Sequence, residues 1–229
     1  MAGAGSEYST TSPEEYLQRV TSPDFMRRAM MDQGLPVLAC DLDEVLVPIM
    51  PKWVGLLADR GLCDPALADP AACVARTSYR VDDYTGASNV DVMDVYGEDF
   101  YDDLEPTTLG AALAALIEVG AVRACIISHT VPRTEASKRA FCARHWPGVE
   151  VVAIPGHMPK GPVVARHCPD WSTFVDDVPE NLLSAAATSL AVGRELLMPS
   201  FGYNRELPHG LEYIASRGFV SVQRYEPAY

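Results

Sequence analysis

Short apolar runs that alternate with amphipathic helices are the feature that most constrains the fold of this chain. The first run, Val37–Cys40, is continuously apolar, which is typical of a strand buried on both faces of a parallel sheet. Four further runs predict strands at 124–128, 149–154, 173–176 and 195–198, and predicted helices separate them. This order predicts an α/β fold in which right-handed crossovers connect parallel strands.

Helix boundaries in this part of the chain can be placed from capping residues and periodicity. After Pro106, Thr107 or Thr108 is a predicted N-cap, and Gly120 ends the helix. The apolar positions between them follow the spacing of one helix face: Leu109, Ala112, Leu113, Leu116 and Ile117. Further helices are predicted from Pro132 to about His145, after Gly161, from Pro179, and near 206–217.

Composition divides the chain into three parts. Residues 1–34 form a predicted helical lead-in, and residues 35–47 and 106–229 form the predicted α/β core. Residues 48–105 carry twelve acidic residues against four basic ones, with many turn formers, which predicts an inserted helical cap. Two alternatives stay open for the six aromatic residues of this segment: they form a small core of the insert, or they line a substrate wall. The rings are Trp53, Tyr79, Tyr84, Tyr96, Phe100 and Tyr101.

Net charge and hydrophobicity exclude several classes of protein. The 229 residues carry a formal charge of −13, which disfavours binding to long nucleic acids or to an anionic membrane. No stretch reaches the roughly 20 apolar residues of a membrane span, and the N-terminus lacks the pattern of a signal peptide. We expect a soluble cytoplasmic protein, a monomer or a homodimer, whose six cysteines are reduced thiols.

Reactive side chains follow three of the predicted strands. Asp41 and Asp43 follow the first strand, Ser128 ends the second, and Asp176 and Asp177 end a later one. Because the carboxyl ends of parallel strands share one edge of a sheet, these groups are expected to converge there. Such a set of carboxylates needs a cation, and oxygen ligands suit Mg²⁺ more than zinc.

Other motifs narrow the chemistry further. Lys160, at the start of a predicted helix, is a candidate partner for the acidic groups, and His129 flanks the same edge. The histidines lack zinc-site spacing, and the sequence contains neither a dinucleotide-binding glycine motif nor a Gly-Lys-Ser/Thr loop. Cys40 and Cys125, inside the strand runs, are interpreted as small core residues.

In order and setting, these residues resemble the four motifs of the haloacid dehalogenase-like (HAD) phosphohydrolase superfamily. The motif residues are Asp41-Leu42-Asp43-Glu44-Val45, Ser128, Lys160 and Asp176-Asp177, and the resemblance spans about residues 36–205. It implies a Rossmann-like, HAD-type parallel sheet with a small helical cap inserted between the first two motifs. The segments 102–106, 174–177 and 203–205 look like the 5'(3')-deoxyribonucleotidase group, whereas Glu44 and His129 depart from the common pattern.

The resemblance also implies a role for each residue. Asp41 would be the nucleophile that forms an aspartyl-phosphate, and Asp43 the general acid and base. Mg²⁺ would be bound by Asp41, the backbone carbonyl of Asp43 and Asp176, with Asp177 in contact directly or through water. Ser128, His129 and Lys160 would bind substrate, through side chains and through the backbone N–H groups that follow Ser128.

We therefore expect a Mg²⁺-dependent phosphatase that hydrolyses a small phosphorylated metabolite. A nucleoside 5'-monophosphate is favoured over a di- or triphosphate because the insert is acidic, and a substrate with an amine stays open. Two other functions stay open as well: a phosphotransferase or mutase of the same superfamily, and a catalytically silent module that binds a phosphorylated ligand.

Overall fold

A six-stranded parallel sheet forms the centre of the molecule. The computed structural model describes residues 34–188 and 193–228. The strands are β1 Val37–Cys40, β2 Arg123–His129, β3 Glu150–Ile154, β4 Thr173–Val175, β5 Arg194–Pro199 and β6 Val220–Tyr225. They lie in the order β3-β2-β1-β4-β5-β6, and every neighbouring pair is parallel. This is the Rossmann-like strand order, so the predicted α/β class is confirmed.

Helices fill the connections between the strands. The helices are α1 Met50–Asp59, α2 Pro70–Ala75, α3 Val81–Thr85, α4 Asn89–Val95, α5 Thr108–Glu118, α6 Glu135–His145, α7 Lys160–His167, α8 Pro179–Thr188 and α9 His209–Ser216. Short 3₁₀ turns cover Pro65–Ala68, Pro132–Thr134 and Gly202–Asn204. Within the described ranges, none of these helices has the length and apolar character needed to cross a bilayer.

The continuous apolar run of β1 is explained by its central place in the sheet. β1 pairs with β2 on one side and with β4 on the other. Leu38 and Cys40 belong to the hydrophobic cluster on one face of the sheet, whereas Val37 and Ala39 belong to the cluster on the other face. Both faces of β1 are therefore covered by side chains, and no polar position is needed along it.

Helix α5 begins and ends where its capping residues predict. The Thr107 side chain accepts a hydrogen bond from the N–H of Gly110 at 3.1 Å, and Gly120, just beyond the helix, has φ of 67°. Gly110 also lies against the loop after β1, where an added Cβ would be 2.5 Å from the carbonyl oxygen of Leu46. The N-terminal turn of α5 is thereby packed directly onto the loop that carries Asp41 and Asp43.

Two features of the C-terminal part differ from the prediction. Strand β6 is not expected from the sequence, yet it pairs with β5 over six residues, from Val220 to Tyr225. Only its first four residues, Val-Ser-Val-Gln, alternate between apolar and polar types, which is a short signal for a strand. The last helix starts at His209 rather than near residue 206, after Pro208 as its N-cap. The predicted lead-in, residues 1–34, lies outside the described residues apart from Gly34.

The segment between β1 and α5 folds into the four helices α1 to α4, which we call the helical insert. These helices share a hydrophobic cluster of their own, formed by Met50, Val54, Leu57, Cys73, Val81, Ala87, Val92 and Val95. The insert therefore has its own small core beside the two clusters of the sheet. Its place in the chain puts it directly after the loop of Asp41 and Asp43.

Candidate active site

Three adjacent strands deliver polar side chains to the carboxyl edge of the sheet. Asp41 directly follows β1, and its backbone N–H donates to the carbonyl oxygen of Val175 at 2.8 Å. Ser128 lies near the end of β2, and Asp176 follows β4. Because β1 lies between β2 and β4, these residues meet on one side of the molecule, as parallel strands require.

Three carboxylates form a buried cluster at this edge. Asp41, Asp176 and Asp177 each offer an oxygen within 4.8 Å of the others, and all three residues are buried. Lys160, at the N-terminal end of α7, places its Nζ atom 2.7 Å from Asp41 Oδ2 and 2.7 Å from Asp176 Oδ2. The structure thus brings together four of the residues singled out in the sequence.

The second oxygens of Asp41 and Asp176 also have donors that fix their direction. Asp41 Oδ1 accepts from the N–H of Leu42 at 2.7 Å. Asp176 Oδ1 accepts from the N–H of Val178 and from the Asn181 side chain, each at 2.9 Å. Because donors contact both oxygens of Asp41 and both oxygens of Asp176, the fold preorganises these two side chains.

The electrostatics of the cluster favour a bound cation. Burial, together with the charges of Asp176 and Asp41, raises the pKa of Asp177 well above its ordinary value. Burial also raises the pKa of Asp176, against the opposing charge of Lys160. For Lys160, burial lowers the pKa, but Asp176 and Asp41 outweigh it and the net pKa is raised, which keeps the ammonium charged.

A divalent cation fits this donor set. Three carboxylates face one ammonium, that of Lys160, so the cluster keeps an excess of negative charge when all three are ionised. A hard cation with oxygen ligands, such as Mg²⁺, would neutralise this excess. Asp41, Asp176 and Asp177 are the side chains that would hold it.

Tyr203 and Asn204 orient Asp177. The Tyr203 hydroxyl donates to Asp177 Oδ2, and Asn204 Nδ2 donates to the Asp177 carbonyl oxygen at 2.8 Å. In the sequence, Tyr203 and Asn204 contribute only to the resemblance to one subgroup. The structure shows that they contact a residue of the acidic cluster.

Asp43 lies apart from the three-carboxylate cluster and has partners of its own. Its side chain is 22% exposed, so it is the most accessible of these acids. Tyr101 donates its hydroxyl to Asp43 Oδ1 at 2.8 Å, and Lys138 Nζ donates to Asp43 Oδ2 at 2.8 Å. The metal contact expected of Asp43 uses its backbone carbonyl and remains a prediction.

Ser128 and His129 lie at the same edge, beside Asp43. The Oγ atom of Ser128 lies 3.1 Å from Lys138 Nζ, which also donates to the carbonyl oxygen of His129 at 2.7 Å. The His129 ring places Nε2 2.8 Å from the carbonyl oxygen of Met158. A substrate-binding role for either residue remains a prediction.

Sequence reasoning missed Lys138 and Tyr101. Lys138 is on the buried face of α6 with Phe141 and Cys142, three and four residues further along. A charged residue on an apolar helix face was the available signal, because such a residue needs a partner in the interior. Tyr101 was named only among the aromatic residues of the insert, and no pattern in the sequence connects it with Asp43.

A cavity of about 340 Å³ lies between the insert and the carboxyl edge of the sheet. Its size suits a small molecule. The wall on the sheet side includes Asp43, His129 and Asp177, and the wall on the insert side includes Trp53, Tyr79 and Tyr96. Neither alternative holds for all six rings. Phe100 and Tyr101 are buried in a cluster of the sheet that also contains Tyr96, and Tyr84 packs against the cluster of the insert. Trp53, Tyr79 and Tyr96 line the cavity.

Glu44 connects the loop after β1 to the insert. It adopts a left-handed backbone with φ of 61°, which is uncommon for a residue other than glycine. Its carboxylate lies 3.0 Å from Arg76 Nη1 and accepts from the N–H of Met50 at 2.9 Å. The Arg76 guanidinium also lies 4.7 Å from the centre of the Tyr203 ring. Glu44, which departs from the common HAD pattern, thus forms a buried ion pair with Arg76.

Comparisons with solved structures find HAD-family hydrolases among the similar chains. A predicted phosphoglycolate phosphatase from Haemophilus somnus 129pt has a TM-score of 0.49 and 14% identity, covering 84% of this chain and 94% of that chain. CbbY from Rhodobacter sphaeroides, in complex with phosphate, has a TM-score of 0.47 and 14% identity, covering 84% and 93%. A HAD family hydrolase from Deinococcus radiodurans R1, with bound phosphate and sodium, has a TM-score of 0.46 and 19% identity, covering 85% and 92%.

No family model matches the chain, and no curated protein matches it either. At such low identities and TM-scores, the likeness to the solved structures assigns neither a family nor an activity. The activity therefore has to be inferred from the geometry of the site.

Proposed function

We propose that this protein is a Mg²⁺-dependent, HAD-type phosphatase that hydrolyses a small phosphomonoester through an aspartyl-phosphate at Asp41. The observation that carries the proposal is the buried cluster of Asp41, Asp176 and Asp177 in contact with Lys160. A nucleophilic carboxylate has to stay ionised and correctly directed. Lys160 and the Leu42 N–H, each 2.7 Å from one Asp41 oxygen, support both requirements.

The reaction follows from the placement of two aspartates. An oxygen of Asp41 attacks phosphorus, and the bond between phosphorus and the leaving oxygen breaks. Asp43, which lines the cavity, gives its proton to that leaving oxygen. Asp43 then takes a proton from a water molecule, whose oxygen attacks the aspartyl-phosphate and releases inorganic phosphate and the Asp41 carboxylate.

The remaining side chains bind and neutralise the phosphoryl group. Mg²⁺, held by Asp41, Asp176 and Asp177, would supply charge neutralisation for the transferring group. The proposed phosphate-binding residues lie at the carboxyl edge of the sheet. Ser128 and His129 are at the carboxyl end of β2, and Lys160 is at the start of α7. Together they would offset the negative charge that an acidic site presents to a phosphate.

A nucleoside 5'-monophosphate is the substrate class that we favour. The rings of Trp53 and Tyr79 line the cavity together with Asp43, and a flat base can stack on such rings. Trp53 is itself stacked on Tyr96, with ring centroids 4.4 Å apart, so its ring plane is fixed. The acidic insert disfavours substrates with additional phosphates.

Replacing the nucleophile is the direct test of this proposal. The Asp41→Asn variant should lose phosphate release on every phosphomonoester that the wild type hydrolyses, because the amide cannot form the acyl phosphate. A matched control is Asp59→Asn, at the exposed end of α1, which should keep full activity. Phosphate release is measured over sugar phosphates, nucleotides and amino-alcohol phosphates, with EDTA and with added Mg²⁺.

Two results would contradict the proposal. Turnover retained in a folded Asp41→Asn variant would contradict the assignment of Asp41 as the nucleophile. Turnover unaffected by EDTA would contradict the requirement for a metal. Transfer of the phosphoryl group to an added acceptor instead of release as phosphate would identify a phosphotransferase. Binding of Mg²⁺ with no turnover on any ester would indicate a silent binding module.

A further inference from the structure

Lys138 is a buried lysine whose three hydrogen bonds all lead to the proposed catalytic residues or their loops. Its side chain is 1% exposed, and Nζ lies 3.1 Å from Ser128 Oγ, 2.7 Å from the carbonyl oxygen of His129 and 2.8 Å from Asp43 Oδ2. An ammonium has three N–H donors, so each has one acceptor here. Two of the contacts anchor the ammonium at the end of β2, and the third reaches Asp43.

Tyr101 binds the other oxygen of the same carboxylate. Its hydroxyl donates to Asp43 Oδ1 at 2.8 Å and also lies beside the hydroxyl of Tyr96. The Tyr101 ring is fully buried, and Lys138 Nζ lies 5.2 Å from its centre. Helix α6 therefore binds Asp43 Oδ2 through Lys138, and the loop between α4 and α5 binds Asp43 Oδ1 through Tyr101.

We propose that Lys138 and Tyr101 are positioning residues that set the direction of the Asp43 carboxylate, with Lys138 on Oδ2 and Tyr101 on Oδ1. This inference rests on the proposed function, in which Asp43 is the general acid and base. Neither residue is needed to bind phosphate in that account. Lys138 also bonds Ser128 and His129, whereas the Tyr101 hydroxyl bonds Asp43 and Tyr96, so Tyr101→Phe isolates the orientation of Asp43.

The two partners of Asp43 differ in what their hydrogen bonds allow. Lys138 can only donate, so Oδ2 must accept whenever the ion pair is formed. The Tyr101 hydroxyl can accept from a protonated Oδ1 or donate to an ionised one, and Tyr96 provides the second partner that either state needs.

Esters with different leaving groups separate a positioning role from a structural one. An alkyl alkoxide needs a proton to leave, whereas 2,4-dinitrophenolate leaves without one. We expect Lys138→Met and Tyr101→Phe to lower kcat/KM for an alkyl phosphate by about 100-fold, as about 1 Å of misplacement does. For 2,4-dinitrophenyl phosphate, kcat/KM should change far less, because this parameter covers only the steps up to departure of the leaving group.

Three further variants complete the experiment. Asp43→Asn should show the same dependence on the leaving group, since it removes the acid itself. Lys52→Met is the control for the loss of a lysine, because the ion-pair partner of Lys52 is the exposed Asp103, so neither ester should be affected. Asp41→Asn should abolish turnover of both esters. Unfolding midpoints are recorded for all variants, and Tyr101→Phe carries the test if Lys138→Met fails to fold.

The outcomes distinguish this inference from the proposed function. Equal losses on both esters in Lys138→Met and Tyr101→Phe, or no loss, would overturn the positioning role while leaving the nucleophile intact. Turnover retained in Asp41→Asn would instead overturn the proposed function. A selective loss on the alkyl ester, shared with Asp43→Asn, would support the inference.

Discussion

At the scale of single residues, the acidic cluster depends on Lys160. This lysine is fully buried and contacts both Asp41 and Asp176. Removing one partner of a buried ion pair leaves the other without compensation, which costs about 3 to 5 kcal/mol. Here the loss would leave three neighbouring carboxylates without their ammonium.

Replacing Lys160 should therefore make stability depend on metal. We expect Lys160→Met to lower the free energy of unfolding by about 3 kcal/mol in EDTA, and Mg²⁺ to stabilise this variant more than it stabilises the wild type. Denaturant unfolding with and without Mg²⁺ measures both effects. Lys52→Met is the control, because its partner Asp103 is exposed. Equal stabilisation of variant and wild type would contradict the link between Lys160 and the metal, and no stabilisation of either would contradict cation binding at this cluster.

The position of a single residue can be predicted from the sequence when the course of the backbone alone determines it. Asp41 and Asp176 follow directly from the strands they succeed, because parallel strands end at one edge. Lys138 and Tyr101 could not be predicted, because their contacts with Asp43 join residues 95 and 58 positions apart in the chain. Only the packing of α6 and of the loop after the insert decides which acid they meet.

At the scale of elements, one contact between the insert and the sheet domain lies at the end of α2. Arg76, just after α2, pairs with the buried Glu44, and its guanidinium lies 4.8 Å from the Phe201 ring centre. The backbone approaches closely at the same place, since a Cβ on Gly202 would be 2.4 Å from the carbonyl oxygen of Ala75. The insert and the sheet domain therefore share a compact polar and aromatic contact at this place.

Arg76→Met should weaken this contact. Because Glu44 would then be buried without its cation, we expect the free energy of unfolding to fall by about 3 kcal/mol. Limited proteolysis within α1 to α4 should also become faster. Arg80→Met is the control: its ion pairs with Asp82 and Asp83 lie at the surface, so stability should not change measurably. Unchanged stability and proteolysis in Arg76→Met would rule out this attachment.

Elements with strong local signals could be predicted, and those without them could not. Helix α5 has an N-cap, an apolar face and a glycine after its end, and the structure has it at Thr108–Glu118. In strand β6, burial alternates only weakly along the chain: Ser221 is exposed, and Val222 and Gln223 are both partly buried. Its existence depends on pairing with β5, a tertiary contact that local periodicity does not report.

At the scale of the whole molecule, the fold collects acids at one edge and covers them with the insert. The strand order places β1 between β2 and β4, and the cavity of about 340 Å³ lies between that edge and α1 to α4. The order of strands and helices was sufficient to predict the α/β class. The identity of the substrate could not be predicted, because it depends on how the insert rings are arranged around the cavity.

The account depends most on a phosphoryl group bound covalently to Asp41, and trapping that group is the most direct measurement. The Asp43→Asn variant is mixed with 2,4-dinitrophenyl phosphate and Mg²⁺, quenched, and reduced with borohydride, which converts an aspartyl-phosphate into homoserine. Peptide mass spectrometry should find homoserine at position 41, with Asp41→Asn as the unreactive control. Fast release of dinitrophenolate without any modification at position 41, or with modification at another carboxylate, would contradict the account.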